Sequence, residues 1–321
     1  MKTSFHARLL NGPFDDPGLY VRLLREGRSL MFDLGYTTGL SARDVLKTTN
    51  IFVSHTHVDH FIGFDSILRV CLRKENPLRL YGPEGFIDCV KGKLQGYTWN
   101  LIGDYPLSIE VSEVTEKSIR RTNFRAQNSF IPEESGTKPF EGVLLNDTFF
   151  NVSAAVLDHQ IPCLAFSLEE DYHINIDKSK LGKLNLPVGA WLGELKLAIR
   201  ENRSDSVFTV KEKTYAFSEV KDIAAITKGH KISYVVDVAG SENNRNKIVE
   251  LVKNSDVLYI ETFFLDEDRK KARERYHLTA KEAGSIAREA HVARLKPIHF
   301  SPRYSNDSEK LIREAEVEFR K

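Results

Sequence analysis

The sequence has no long apolar run. Of its 321 residues, 41% are hydrophobic and 28% are charged, which is close to the average for globular proteins. No segment reaches the roughly 18 consecutive apolar residues that a membrane-spanning helix needs. The first residues, MKTSFHARLLNGPF, also lack the apolar stretch and small-residue cleavage site of a secretion signal. The sequence therefore predicts a cytoplasmic protein without a membrane span.

Cysteine is scarce, and neither sign of charge is in excess. Cys71, Cys89 and Cys163 are odd in number, far apart and not in a CxxC pair, so neither a disulfide framework nor a thiolate zinc site is indicated. The 46 Lys and Arg residues balance 45 Asp and Glu residues, which gives a formal net charge of +1. This balance does not indicate a polyanionic partner, and a nucleic-acid contact would have to use local basic patches.

Short β-like runs alternate with helical stretches along the chain. Residues 19–35 predict a hairpin with its turn at Glu26 and Gly27, and NIFVSHTHVDH reads as a strand that runs into a loop. Near the end of the chain, Thr279 and Glu282 form a capping box that predicts the start of a helix. Strands separated by helices predict an α/β fold whose sheets are covered by helices.

Two segments interrupt this pattern, and we interpret both as insertions. Residues 115–147 are polar and turn-rich, and residues 171–215 mix loop and helix. The second contains Lys183, Trp191 and Lys196, and basic residues around an aromatic ring suit phosphate contacts and stacking on an unpaired base. The alternative is a solvated helix face whose Trp covers the core or a dimer partner.

The densest cluster of metal-seeking side chains is SHTHVDH, which follows an apolar run. Alternation along a strand aims His55 and His57 to one side, and the following turn carries Asp59 and His60 to a second point nearby. Imidazole and carboxylate ligands suit zinc, with manganese or iron as possible substitutes. A single histidine could be a satisfied core residue, but this cluster predicts two metal ions that share one loop.

The remaining ligands should come from other strand ends, because loops at one rim of a sheet converge in space. Three residues fit, each just beyond an apolar run: His159 in VLDHQIP, Asp237 in YVVDVAG and His299 in KPIHFSPRY. Asp237 is the candidate bridge, because a carboxylate has two oxygens. Taken singly, each of the three could be a turn, a cap or a packed residue. Together with the SHTHVDH cluster they favour a metal centre.

Several of these motifs resemble those of known proteins. SHTHVDH resembles the HxHxDH motif of the metallo-β-lactamase superfamily. HLTAKEAGSIA, KPIHFSPRY, LRLYGPEGF and LNLPVGAWLGELK resemble segments of ribonuclease Z, the tRNA 3′-processing endonuclease. The resemblance implies an αββα four-layer metallo-β-lactamase sandwich in which residues 1–321 form one domain. It also implies a substrate-binding arm inserted at about 171–215, between the strand of His159 and the strand of Asp237.

The resemblance further implies two Zn²⁺ ions per chain and a role for each motif residue. The seven ligands form one set for each ion and a bridge: His55, His57 and His159; Asp59, His60 and His299; and Asp237. His277, which begins HLT, would assist the reaction at the scissile phosphate or protonate the departing 3′ oxygen, since an imidazole has a suitable pKa. Asp59 would also orient or deprotonate the attacking water. The implied assembly is a homodimer in which the arm of one subunit holds tRNA over the active site of the other.

The chain departs from the family pattern at three places. LLNGPFDDPG stands in place of a glycine-rich loop, Val236 and Val238 flank Asp237 where the family has Gly-Asp-Thr, and Ile260 replaces a His before Glu261. All seven expected ligands are present, so the leading hypothesis is a dinuclear zinc phosphodiesterase that cleaves 3′ extensions from tRNA precursors. The substitutions leave two alternatives: a phosphodiesterase of the same fold acting on a small substrate such as a cyclic nucleotide, and a binding protein without turnover.

Overall fold

The computed structural model describes residues 4–24 and 26–321. Arg25, next to the turn predicted at Glu26 and Gly27, lies outside the described residues. The chain divides into two compact units, with Met1–Glu169 and Lys231–Lys321 in unit 1 and Glu170–His230 in unit 2. The insertion predicted at about 171–215 falls within unit 2, which extends further toward the C-terminus.

The secondary-structure elements are numbered along the chain. The strands are β1 (Phe5–Leu9), β2 (Leu19–Leu23), β3 (Ser29–Phe32), β4 (Thr48–Phe52), β5 (Leu78–Pro83), β6 (Ser108–Val114), β7 (Ser118–Arg125), β8 (Pro132–Pro139), β9 (Val143–Asn146), β10 (Phe150–Asp158), β11 (Pro162–Glu170), β12 (Tyr172–Ile176), β13 (Val207–Val210), β14 (Lys213–Ala216), β15 (Ala224–Lys228), β16 (Lys231–Val235), β17 (Val257–Glu261) and β18 (Leu295–Ile298). The helices are α1 (Ala42–Lys47), α2 (Val58–Phe61), α3 (Phe64–Cys71), α4 (Phe86–Gln95), α5 (Lys178–Lys183), α6 (Trp191–Arg200), α7 (Phe217–Val220), α8 (Glu242–Val252), α9 (Arg269–Arg275), α10 (Ala280–Glu289) and α11 (Ser308–Phe319). Among residues 4–24 and 26–321, none of these helices combines the length and the apolar character needed to cross a membrane.

Unit 1 contains two sheets. The first has the order β1-β2-β3-β4-β5-β6-β7-β8, and the second has the order β18-β17-β16-β11-β10-β9. Antiparallel pairing of β2 with β3 confirms the predicted hairpin. The predicted insertion at 115–147 is wrong, because this segment pairs as β7, β8 and β9 at the edges of the two sheets. Its polar composition reflects the exposed side chains of the edge strand β8 rather than a loop.

The two sheets pack face to face between helices. Alternation along the strands of the first sheet turns Met31 and Ile51 toward a core shared with α1, α3 and α4. It turns Phe32 and Phe52 toward the second sheet, where both lie near the ring of Phe166. The opposite face of the second sheet packs on α8 and α10. This order of helices, sheet, sheet and helices confirms the predicted αββα layering.

Unit 2 has a small core of its own. β12 pairs with β15 and β13 pairs with β14, both antiparallel. Leu195, Phe208 and Val220 are buried in this core together with Trp191. Such a cluster can hold the three short helices and the two antiparallel strand pairs of this unit in place.

Strand direction in unit 1 brings the predicted metal ligands to one rim. β16, β17 and β18 are parallel neighbours, so their carboxyl ends lie at the same edge of the sheet. Asp237 and His299 follow β16 and β18 within two residues, and Glu261 is the last residue of β17. β10 ends just before His159, and the chain turns back there into the neighbouring strand β11, which is antiparallel to β16. β10 therefore runs in the same direction as β16. Loops from distant parts of the sequence therefore meet there.

Two glycines in helices have different surroundings, one tightly packed and one open. A Cβ atom on Gly284 in α10 would lie 2.2 Å from the Ala315 carbonyl oxygen of α11, whereas a Cβ atom on Gly92 in α4 would meet nothing within 4 Å. We expect Gly284→Ala to lower the free energy of unfolding by about 1–3 kcal/mol through overpacking. Gly92→Ala should raise it by about 0.5–1 kcal/mol, since alanine favours the helix. Chemical denaturation of both variants tests this, and equal effects would contradict the close contact of α10 with α11.

Candidate metal centre

The SHTHVDH segment joins β4 to α2. His55 and His60 are fully buried, while His57, the residue that precedes α2, is exposed. Asp59 lies in the first turn of α2, and its side chain is 39% exposed. The segment thus runs from the interior of unit 1 to its surface and back within one helical turn.

Side chains from four separated segments bring their ligand atoms together at the sheet rim. Two groups have all their ligand atoms within 4.8 Å of one another. The first group is His55, His57, His159 and Asp237, and the second is Asp59, His60 and His299. These are the two sets that the sequence predicts, and their assignment as ligands remains a prediction.

The Asp237 carboxylate faces histidines of both groups. Its Oδ2 atom is 3.4 Å from Nε2 of His55, 3.4 Å from Nε2 of His60 and 3.5 Å from Nε2 of His159. Direct N–H···O hydrogen bonds are usually about 2.7–3.2 Å long. Zinc bonds of about 2.0–2.1 Å at tetrahedral angles place neighbouring ligand atoms roughly 3.3–3.4 Å apart. The spacing therefore fits atoms that share a cation better than atoms bonded to each other.

The second group has the same spacing. Asp59 Oδ2 lies 3.3 Å from Nε2 of His60 and 3.5 Å from Nε2 of His299. Asp237 contacts this group through both oxygens, since Oδ2 faces Nε2 of His60 at 3.4 Å and Oδ1 is 2.9 Å from Nδ1 of His299. A carboxylate that faces both groups is suited to bridge two cations.

Hydrogen bonding leaves the central nitrogens open. Within the described part of the chain, Nε2 of His55 and Nε2 of His60 are buried and have no hydrogen-bond partner. An unsatisfied buried polar atom costs about 1–3 kcal/mol. Two such atoms facing one carboxylate oxygen at equal distances fit a metal site, because a shared cation would satisfy both.

Asp33 orients the ring of His60. Its fully buried carboxylate accepts hydrogen bonds from the Ser54 backbone N–H at 2.6 Å, the Ser54 hydroxyl at 2.8 Å and the Tyr234 hydroxyl at 3.0 Å. It also accepts one from Nδ1 of His60 at 2.9 Å. Fixing the proton on Nδ1 leaves Nε2 as a lone-pair donor, which is how carboxylates commonly support histidine ligands.

The other ligand loops are also constrained. Nδ1 of His159 donates to the Tyr276 carbonyl oxygen at 2.8 Å. Asp33, Asp237 and His299 have φ values of 58°, 49° and 52°, in the left-handed region that non-glycine residues seldom adopt. Strain of this kind is concentrated at functional sites, where the surrounding structure holds it in place.

Burial and charge set the protonation of the centre. Burial lowers the pKa of His55 to about 2, and charge on His60 acts in the same direction. Burial also opposes charge on His299, but the Asp237 carboxylate outweighs it and raises the pKa of His299 to about 10. For His60, burial is likewise outweighed by Asp237 and Asp33, which raise its pKa well above the ordinary value. The neighbouring carboxylates therefore favour the charged forms of His60 and His299, whereas burial favours the neutral form of His55.

His277 lies beside the two groups and has partners of its own. Nδ1 of His277 is 2.8 Å from Oε2 of Glu261, whose Oε1 accepts the Val238 backbone N–H at 2.7 Å. Burial disfavours charge on His277, but the Glu261 carboxylate prevails and raises its pKa. Ligand atoms of His277 and Glu261 also lie within 4.8 Å of Asp237 and His299. Because His277 and Glu261 already satisfy each other, this third group fits proton transfer better than metal binding.

The residues predicted to bind substrate in the arm have different surroundings. Lys183 is exposed. Trp191 is only 5% exposed and donates its Nε1–H to the Pro187 carbonyl oxygen, so its ring is not available for stacking on a base. Lys196 donates to the Ile174 carbonyl oxygen. For Trp191 the structure thus favours the alternative in which the ring covers a core, because the core of unit 2 needs a large apolar side chain.

The sequence gives little sign of the residues that orient the ligands. Asp33 directly follows an apolar strand and Glu261 ends one, which is the one signal that could identify them. Ser54 and Tyr234 carry none, because the Asp33 carboxylate that both contact is distant along the chain and only folding brings it to them.

Curated proteins similar to this chain are named ribonuclease Z. The ribonuclease Z of Deinococcus radiodurans is 28% identical over 320 residues, which cover 98% of this chain and 95% of that protein. The ribonuclease Z of Lactobacillus helveticus is 31% identical over 313 residues, which cover 93% of this chain and 86% of that protein. No protein-family model matches the chain.

Solved structures agree on the fold. The short form of human tRNase Z superposes with a TM-score of 0.56 at 20% identity and covers 92% of this chain and 93% of its own. The metallo-β-lactamase fold protein YhfI from Bacillus subtilis has a TM-score of 0.56 at 14% identity, over 98% of this chain and 93% of its own. At these identities the likeness concerns the fold alone, and it confirms the predicted metallo-β-lactamase architecture.

Replacing the Asp33 carboxylate tests how the ligands are oriented. In Asp33→Asn, an amide N–H₂ would face the His60, Ser54 and Tyr234 donors, so the His60 ring would lose its orientation. We expect Zn²⁺ affinity to fall about 10–100-fold, measured by competition with a chromophoric chelator. The matched control is Asp147→Asn, which removes a carboxylate that pairs with Arg28 and should leave the affinity unchanged. Equal affinities in both variants, with circular dichroism showing both folded, would contradict the role of Asp33.

Proposed function

Because this chain belongs to the ribonuclease Z family, we propose that it is a metal-dependent endoribonuclease that cleaves 3′ extensions from tRNA precursors. The observation that carries the proposal is the convergence on Asp237 of buried imidazole nitrogens at the spacing of atoms that share a cation. A metal-dependent hydrolase requires such a centre, and a binding protein without turnover would have no use for the strained backbone at Asp237 and His299.

The proposed cofactor is two Zn²⁺ ions per chain. The proposed ligands are His55, His57 and His159 for one ion, Asp59, His60 and His299 for the other, and Asp237 for both. When bound, the ions would supply positive charge at the phosphoryl oxygens and acidify the attacking water. Nitrogen and carboxylate oxygen donors suit zinc, and the same set accommodates manganese or iron.

Two side chains of the centre are placed for proton transfer. Asp59 is half-exposed, so its carboxylate can both reach the second group and accept a hydrogen bond from water. His277 has Nδ1 engaged with Glu261, which leaves its Nε2–H as the proton to give to the departing 3′ oxygen. A positioned acid of this kind contributes about 10²–10⁴-fold in rate when the leaving group is a poor one.

Substrate holding and assembly follow from the family and are also proposals. We propose that the exposed Lys183 of unit 2 contacts the phosphate backbone of tRNA, as one of the basic residues of the arm. Lys196 can contribute only if its hydrogen bond to the Ile174 carbonyl opens. The assembly we propose is a homodimer, as the family resemblance implies.

Metal binding should release protons. His60 and His299 have raised pKa values in the metal-free chain, so at neutral pH each must lose a proton before its nitrogen can bind a metal. We expect titration calorimetry with Zn²⁺ to give two sites per chain and, from buffers of different ionisation enthalpy, about two protons released. Affinity should fall as the pH is lowered, because protons compete for the same nitrogens. A stoichiometry of one, or no proton release, would contradict the two-ion assignment.

Side-by-side assays test the substrate. We expect the chain to cleave a 3′-extended tRNA precursor and to act weakly on cyclic mononucleotides. Asp237→Ala should abolish both this cleavage and hydrolysis of bis(p-nitrophenyl) phosphate. His277→Ala should slow RNA cleavage by about 10²–10⁴-fold and affect bis(p-nitrophenyl) phosphate less, since p-nitrophenolate leaves without a proton. The control is His6→Ala, on the exposed face of β1. Preference for cyclic mononucleotides would instead support the small-substrate alternative.

A further inference from the structure

Phe263 lies face to face with His277. The two ring centroids are 3.8 Å apart and the planes differ by 5°, whereas the neighbouring Phe264 is 6.2 Å from His277 at 59°. We propose that Phe263 is a positioning residue whose stacked ring holds the His277 imidazole in the orientation that delivers a proton to the leaving oxygen. This inference rests on the proton-donor role given to His277 in the proposed function.

The backbone around Phe263 is fixed from both sides. The carbonyl oxygen of Phe263 accepts the Ser301 N–H at 3.2 Å, and the Thr262 N–H donates to the Ile298 carbonyl oxygen at 3.0 Å. On the other side, the Ala280 N–H donates to the Phe264 carbonyl oxygen at 2.7 Å. The Phe263 ring is therefore carried by a segment bonded both to the loop of His299 and to the start of α10, and it cannot shift without disturbing either.

Glu261 and Phe263 restrain different motions of His277. A hydrogen bond from Nδ1 to Glu261 fixes the position of one ring atom but leaves the plane free to tilt about it. The stacked Phe263 ring fixes the plane of the imidazole but leaves it free to slide within that plane. The hydrogen bond to Glu261 prevents this sliding. Together the two contacts hold Nε2 at one point. Such restraint matters because small errors in placement of a reacting group can cost large factors in rate.

The ring of Phe263 also limits where His277 can move. Phe263 is half-buried and its centroid is 5.2 Å from that of His299, while His159 approaches His277 edge-on at 5.0 Å. If the Phe263 ring were absent, the space beside His277 would allow the imidazole to rotate toward His299. The proton donor would then be displaced while the seven proposed ligands kept their places.

A series of substrates with different leaving groups distinguishes misplacement of the proton donor from a nonspecific loss of activity. The substrates are aryl methyl phosphates whose leaving phenols range from p-nitrophenol to phenol, assayed with the Zn²⁺-loaded protein. With p-nitrophenyl, we expect Phe263→Leu to keep kcat within about twofold of wild type, and with phenyl to lose roughly tenfold. The slope of log kcat against the pKa of the phenol should steepen in Phe263→Leu and in His277→Ala. Phe263→Tyr, which keeps the ring, should retain the wild-type slope.

The matched control is Phe264→Leu, which makes the same change one residue away in a side chain that is not stacked on His277. It should lower stability without changing the slope. The double variant Phe263→Leu with His277→Ala should be no slower than His277→Ala alone, because a positioning residue has no effect once its target is gone.

A second readout needs neither metal nor turnover. In proton NMR of the metal-free protein with labelled histidines, ring current from Phe263 should shift the carbon-bound protons of His277 upfield. That shift should be lost in Phe263→Leu and kept in Phe263→Tyr and Phe264→Leu. His277→Gln assigns the signals.

The outcomes separate this inference from the proposed function. A wild-type protein that hydrolyses no diester with Zn²⁺ bound would overturn the proposed function and this inference with it. Hydrolysis with the same slope in Phe263→Leu as in wild type would overturn the inference alone. A His277 signal unchanged in Phe263→Leu would likewise overturn it.

Discussion

The buried carboxylate of Asp33 is the constraint on which the centre depends. A carboxylate fully removed from water is costly unless several donors compensate it, and here the donors come from both sheets. Ser54 and His60 belong to the loop after β4 in the first sheet, and Tyr234 lies in β16 of the second. The ring of Tyr234 is itself part of the aromatic core near Phe32. Packing of the two sheets against each other therefore also fixes the carboxylate that orients the His60 ring.

Much of the fold can be predicted from the sequence, because apolar periodicity and the spacing of motifs are local signals. The hairpin of β2 and β3 and the capping box at Thr279 follow from them, whereas the αββα layering follows from the resemblance of the motifs to those of the metallo-β-lactamase superfamily. The strands within 115–147 could not be recognised, since β8 lies at a sheet edge where nearly every side chain is exposed and no apolar alternation develops. The role of Trp191 could not be assigned either, because the same sequence is compatible with a ring that stacks on a base and with a ring that fills a small core.

The centre divides in the same way. The seven proposed ligands stand in short, dense motifs or directly after strands, so the sequence identifies all of them as candidates. The residues that orient these ligands stand in no such motif. Tyr234 meets Asp33 across 201 positions, and Glu261 meets His277 across 16, so neither contact leaves a pattern in the sequence. Phe263 is part of a run that reads as ordinary core. Orientation of ligands is a property of the assembled sheets, whereas the identity of ligands is a property of the motifs.

The separation of the proposed ligands from the apolar cores has a consequence for how the protein would acquire its ions. In small zinc domains the unfolded chain cannot gather its ligands, so metal loss and unfolding are the same event. Here the cores on both faces of the two sheets consist of apolar side chains and include none of the proposed ligands. If the proposed ions bind, a folded chain would take them up through the surface at His57 and Asp59, the two proposed ligands that are not buried.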